Sequence, residues 1–199
     1  MKKISIAIAT GIIVGILTLI GQKYLPINLN FLANSGAIWL IPAFSLSYFF
    51  HSNLRNSIAT SITCLVGCVC GYYIFEAIYN QHSFAFNRWA FLWLVMALLA
   101  GTVFGAGAYI ANTKKNWLQY CSMNLLPAVF VAEGMDHLLH IEAYLHMVPA
   151  VISKIIIGII LYVIINKNHC VKPKNLISFV LITIIGILSF AVLYGNAFV

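Results

Sequence analysis

Apolar runs of roughly 20 residues follow one another from end to end of this chain, and no other feature constrains its fold as strongly. The first, "MKKISIAIATGIIVGILTLIG", sets the pattern. A helix of about 20 residues crosses the ~30 Å hydrocarbon layer of a bilayer. In that layer every backbone polar group must be satisfied inside the protein, and long unalternating runs meet this demand as helices. The pattern predicts helices over 4–21, 36–50, 57–79, 89–111, 117–139, 143–166 and 176–195. The second is short, so about seven spans are expected and six is the alternative. The expected fold is all-α, a polytopic helical membrane bundle forming a single domain over 1–199, with the lipid bilayer as its partner.

Composition closes off the soluble alternatives. Charged residues make up 8% of the chain and hydrophobic residues 62%, where a soluble domain carries about 25% charge. The net charge of +7 is dispersed over short loops, which argues against nucleic acid and makes it a topology signal. With the N-terminus in the cytoplasm, the inner side collects Lys2, Lys3, Arg55, Lys114, Lys115, Lys167, Lys172 and Lys174. The outer side receives Lys23 and Arg88, and Lys154 falls inside the sixth span. That bias predicts N-in, C-out in a bacterial cytoplasmic membrane. The first run reads as a retained span, because no small-x-small cleavage site ends it. Cys64, Cys68 and Cys70 read as small packing residues, since only the first two share a helix face.

Small residues recur every fourth position at Ala7, Gly11 and Gly15, at Gly67 and Gly71, and at Gly101 and Gly105. Such stripes let helix backbones approach closely. The first is also a candidate surface for a membrane protein partner or a second copy of the chain. Pro42, Pro127 and Pro149 fall within expected spans, where each would free the carbonyl four residues earlier.

Charge is concentrated in "AEGMDHLLHIEAYLH", residues 132–146, with three of the four acidic residues and three of the six histidines. Glu133, Asp136, His137 and His140 fall at i, i+3, i+4 and i+7, within an arc of about 100° on a helix. Glu142 and His146 repeat the Glu-x-x-x-His spacing. Carboxylate and imidazole at i, i+4 can present ligands to one divalent ion, so His137, His140, Glu142 and His146 are the candidate metal ligands. The alternative is a wet turn between two spans. Lys154 lies near the middle of its span, where an uncompensated lysine costs about 3 kcal/mol on insertion scales. Its side chain can reach toward Glu133 or Glu76, either as a site for an anionic or zwitterionic solute or as a structural ion pair. The first outer loop, "GQKYLPINLNFLANSGAIW", is apolar for a loop. It folds back as a lid or lies in the interface with Tyr24 and Trp39 as anchors. Tyr72, Tyr73, Tyr79, Trp89 and Trp93 read as belt and core residues.

The series "GQKYLP", "LANSGAIW", "GYY", "GTVFGAGAY" and "VAEG" resembles a family of small multi-pass bacterial membrane proteins, domain of unknown function 6518. The resemblance spans residues 21–134 and marks Asn34, Ser35 and Glu133 as characteristic. It supplies no active site. The chain is also similar, more loosely, to the substrate-capture subunits of energy-coupling factor transporters, whose first helix would correspond to the Ala7, Gly11, Gly15 stripe. Those subunits have six spans. Together these features favour binding or transport of a small solute or divalent cation from the outer side, with Glu76, Glu133, Asp136, Lys154 and Asn34 as substrate-binding residues. The alternatives are a membrane-embedded metal-dependent hydrolase and a non-catalytic subunit of a membrane complex; a catalytic role is the less favoured.

Overall fold

A computed structural model describes residues 2–33, 35–50, 53–81, 87–113, 116–167 and 170–197, with the backbone alone for 31, 143, 144 and 193–197. Among these residues every regular element is helical. The order is α1 (Lys2–Tyr24), a single turn α2 (Asn30–Ala33), α3 (Gly36–Phe49), α4 (Leu54–Tyr79), α5 (Arg88–Thr113) and α6 (Trp117–Leu139). A 3₁₀ segment (Ile141–Met147) then leads into α7 (Val148–Ile165), and α8 (Pro173–Ala197) ends the chain.

Local chemistry sets several boundaries. The Asn53 side chain accepts from the Asn56 N–H at 2.8 Å, and the Asn87 side chain accepts from Ala90 at 2.9 Å, satisfying donors that a helix start leaves open. Pro173 opens α8, where its missing N–H and fixed φ are no cost. Pro42 and Pro127 lie inside α3 and α6. Pro149 does not interrupt a helix, contrary to the sequence reading. Residues 141–147 wind as 3₁₀ and α7 starts at Val148, which puts the proline in its first turn.

Five segments are long and apolar enough to cross a membrane: Lys2–Tyr24, Leu54–Tyr79, Arg88–Thr113, Leu145–Ile165 and Pro173–Val192, with mean hydropathy from 1.8 to 2.6. The 14-residue α3 reaches only about 21 Å at the helical rise. At 23 residues α6 is long enough, but it carries the polar residues that the bundle buries, including Asn124, Glu133, Asp136 and His137. Large aliphatic side chains stay exposed along the outward faces of α1, α5, α7 and α8, among them Ile13, Leu99, Ile164 and Leu188. A belt of that extent suits a lipid environment.

Two helices organise the bundle. α4 packs on α1, α3 and α5, while α6 packs on α5, α7 and α8 and also touches α3. Close approaches give the directions: Gly11 meets Cys64 and Gly15 meets Cys68, so α1 and α4 run parallel, whereas Gly101 on Ile62 and Gly105 on Ile58 make α5 antiparallel to α4. The proximal end is the one where the chain starts, and there Lys3 donates to the Phe50 carbonyl at 3.1 Å. The other end is distal.

The Ala7, Gly11, Gly15 stripe is consumed inside this arrangement. Ala7 is fully buried, and a Cβ on Gly11 or Gly15 would collide with the α4 backbone at Cys64 and Cys68. On the α4 side, a Cβ on Gly67 would lie 2.7 Å from the Ile8 carbonyl oxygen. The stripe is therefore the α1–α4 seam and not a free surface for a partner. Cys64 and Cys68 are fully buried in the same seam as free thiols, the packing role their spacing suggests.

Candidate functional site

The distal half of the bundle buries a lysine and a carboxylate. Lys154 Nζ donates to Glu133 Oε1 at 3.0 Å, with the side chains 0% and 1% exposed. The close α6–α7 contact makes this reach possible: Gly134, next to the glutamate, lies so near α7 that a Cβ would sit 2.6 Å from Ile155 Cγ1. The second carboxylate oxygen is held from another element. Ser35, itself buried, donates its hydroxyl to Glu133 Oε2 at 2.5 Å. Ser35 occupies the N-cap position of α3 but makes no capping hydrogen bond; its hydroxyl is turned to the glutamate instead. One carboxylate thus joins α3, α6 and α7. In a membrane interior, where an unpaired charge is costly, both charges have partners.

Ser35 is also part of a cavity wall. The cavity, about 60 Å³, lies between the distal ends of α1, α3, α4 and α5, and its framework is aromatic: Trp39, Tyr72, Tyr73 and Trp93. Trp39 and Trp93 have ring centroids 5.5 Å apart, Trp39 and Tyr72 6.3 Å, and Tyr72 and Tyr73 5.1 Å. Polar groups of α1 fix the rings. Trp39 Nε1 donates to Thr18 Oγ1 at 2.8 Å, and the Tyr72 hydroxyl donates to Gln22 Oε1 at 2.8 Å. Thr18 in turn donates to the Val14 carbonyl. Ala33 and Gly36 complete the wall, and α2 rests against α1 and α7. Gly21 permits that seat, since a Cβ there would lie 2.7 Å from Ala33 Cβ. The loop read from sequence as a lid or a surface anchor thus contributes wall residues, and Trp39 is buried in the bundle instead of anchored in the interface.

A larger depression of about 170 Å³ lies beside it between Leu19, Ile20, Lys23, Tyr24, Phe75 and Tyr79. Its rim is exposed and Lys23 already stands 5.5 Å from the Tyr79 ring centroid, so it offers a less selective surface.

The remaining candidates divide between buried and peripheral positions. Asp136 and His137 are buried on the Glu133 face of α6. Asp136 Oδ1 has no hydrogen-bond partner among the described residues. His137 Nδ1 bonds the Glu133 carbonyl at 2.5 Å, and His140 Nδ1 bonds the Asp136 carbonyl at 2.9 Å, so both rings are turned back onto their own helix. Glu142 and His146 are exposed in the 3₁₀ segment. With three residues per turn, positions four apart there do not share a face, so the second Glu-x-x-x-His spacing forms no ligand pair. Among the described residues no three His, Cys, Asp or Glu side chains converge as a metal site. Glu76 stands near the distal end of α4, accepts from Asn80 Nδ2 at 2.8 Å, and belongs to a helix that α6 does not pack upon. Asn34 lies outside the described residues.

Two features of the bundle leave only a faint trace in the sequence. One is the aromatic cavity, whose signal was Thr18 and Gln22, one helical turn apart near the end of an apolar run. The other is a buried amide network at the proximal end. Asn124 Nδ2 donates to Asn175 Oδ1 at 3.0 Å and to Ser178 Oγ at 2.7 Å, and Asn166 Nδ2 donates to Asn124 Oδ1 at 3.0 Å. These bonds tie α8 and α7 to α6.

An all-helical bundle with lipid-facing apolar walls, a buried ion pair and a small aromatic cavity at one end defines a polytopic membrane-type protein. The chain belongs to a family of unknown function, DUF6518, whose sequence model matches residues 1–196. That match extends well beyond residues 21–134, where the sequence motifs suggested it. No curated protein and no solved structure matches the chain. The likeness to energy-coupling factor subunits has no support from these comparisons, and the α1 stripe on which it relied is occupied by α4.

Proposed function

We propose that the protein binds a small solute in the distal aromatic cavity and passes it into or across the membrane. The observation that carries this reading is the joining of the cavity to a buried charged relay through one side chain. Ser35 lines the cavity and hydrogen-bonds Glu133, which is paired with Lys154. Small-molecule sites combine an apolar enclosure with a few placed polar groups, and intramembrane ionisable residues mark functional pathways by default. Seven spans with a cytoplasmic N-terminus would put the cavity on the outer side, in keeping with Lys23 and Arg88 alone being distal among the described Lys and Arg outside α7. Glu133 and Lys154 would act from behind the wall, with Glu76 at the margin. Asp136 would hold the next position along α6.

The test is the melting temperature of the purified protein with a panel of small amines, amino acids, carboxylates and sugars, compared with Gly36→Leu and Gly36→Ala. A Cβ on Gly36 would meet the Trp93 ring at an ordinary 3.5 Å, so alanine narrows the cavity without a clash and leucine fills more of it. At least one class should stabilise the wild-type protein, Gly36→Ala less, and Gly36→Leu not at all. A panel with no effect, or an effect unchanged in Gly36→Leu, would overturn the reading.

A further inference from the structure

We infer that the cavity is built for a small organic cation, a methylated or quaternary ammonium group. The inference rests on the cavity being a solute site, as proposed above, and it names the class of solute. Three features of the wall lead to it.

The rings come first. Trp39, Trp93, Tyr72 and Tyr73 surround a space of about 60 Å³. A single water needs about 10–15 Å³ on a comparable measure, so the space accepts a compact head group with several methyls. Aromatic faces attract cations through their quadrupole, and enclosure by several rings is the usual way a quaternary ammonium is held. The distal end already uses this attraction internally: Lys23 stands over Tyr79 and Arg88 lies 4.9 Å from the Trp89 ring centroid. Among the described residues, no cationic side chain stacks on the four cavity rings.

The order of charges behind the wall comes second. Along the sequence of contacts from α7 to the cavity stand Lys154, the Glu133 carboxylate, the Ser35 hydroxyl and then the open space. The ammonium is farthest along that relay and the carboxylate nearest. The buried pair therefore presents the carboxylate end of its dipole, and not the ammonium, to the wall residue Ser35. Low local dielectric lengthens the reach of such a dipole.

The hydroxyl itself comes third. Ser35 gives its one proton to Glu133, so only its lone pairs remain for a guest. It accepts from a ligand N–H or O–H and repels an acceptor. An anion entering this space would meet ring faces and a hydroxyl oxygen backed by a carboxylate, with the Gln22 amide as its one side-chain N–H source outside the rings. The ring faces and the carboxylate-backed oxygen disfavour it.

Choline and its uncharged isostere 3,3-dimethylbutan-1-ol have the same shape and differ in charge at one atom, so binding of both to the purified full chain isolates the charge. Choline should bind at least about tenfold more tightly than the alcohol, since a desolvated cation–π contact contributes that much. The ratio should collapse in Trp93→Leu and survive largely in Trp93→Phe. Equal binding of the two, tighter binding of the alcohol, or choline binding untouched by Trp93→Leu would overturn the cation assignment. If neither binds while a carboxylate or sugar stabilises wild type but not Gly36→Leu, the cation assignment fails and the solute site stands. If nothing in the panel acts, both fall. The wild-type comparison decides the matter even where a tryptophan variant does not fold.

Discussion

Glu133 is the residue on which the distal half turns. Its two oxygens are satisfied by Lys154 and Ser35 from two other helices, and all three side chains are buried. Removing one partner of a buried pair costs about 3–5 kcal/mol, because the other charge is left behind, while replacing both by apolar groups is often near neutral. Glu133→Leu is therefore expected to lower stability sharply, and the Glu133→Leu/Lys154→Met double variant to recover most of the loss. Denaturation in detergent of the two singles and the double measures this coupling, and simple additivity would contradict it. Asp136 makes the opposite case. Its Oδ1 is buried without a hydrogen-bond partner among the described residues, so Asp136→Asn, which removes charge and keeps shape, should leave stability unchanged or raise it by about 1 kcal/mol. A loss as large as that of Glu133→Leu would show that the carboxylate has a partner it depends on. The sequence placed Glu133, Asp136, His137 and His140 on one face. It did not show that two rings would turn back onto their own carbonyls, which depends on rotamers that spacing leaves open.

The helices themselves were largely legible, because the length of an apolar run and the hydrocarbon thickness are tied together. All seven expected spans correspond to helices of 14 residues or more. The boundary that moved lies at 141–147, where a short apolar stretch could equally extend a helix or tighten into 3₁₀, and periodicity does not distinguish them over seven residues. The small-residue stripe was legible as a packing surface but not by its partner, since a stripe on one helix does not name the helix that covers it. Its contact gives a clear expectation. Any side chain on Gly11 meets the Cys64 carbonyl, so Gly11→Ala should cost about 1–3 kcal/mol, whereas Gly36→Ala, with 3.5 Å of room, should cost little. Melting temperatures of the two variants in the same detergent make the comparison. Equal loss would contradict the α1–α4 seam.

At the scale of the whole molecule, polar groups are placed where several helices meet and apolar groups where lipid must cover them. The Asn124, Asn166, Asn175 and Ser178 network fastens α7 and α8 to α6 at the proximal end, and the Ser35–Glu133–Lys154 relay joins α3, α6 and α7 toward the other. The site was only partly legible for the same reason. Glu133 and Lys154 announce themselves as charges in apolar runs, but Trp39, Tyr72, Tyr73 and Trp93 look like any membrane aromatics until the fold brings four segments together. This meeting point is where a solute is proposed to bind. Replacing Trp89 and Trp117 by phenylalanine leaves Trp39 and Trp93 as the only tryptophans, which are excited selectively at the red edge of the absorption band. The emission of that variant, titrated with whichever solute class stabilises the protein, is the most direct test. A saturable change with the same midpoint as the stabilisation is the expected result; stabilisation with unaltered emission would put the solute elsewhere and contradict the assignment.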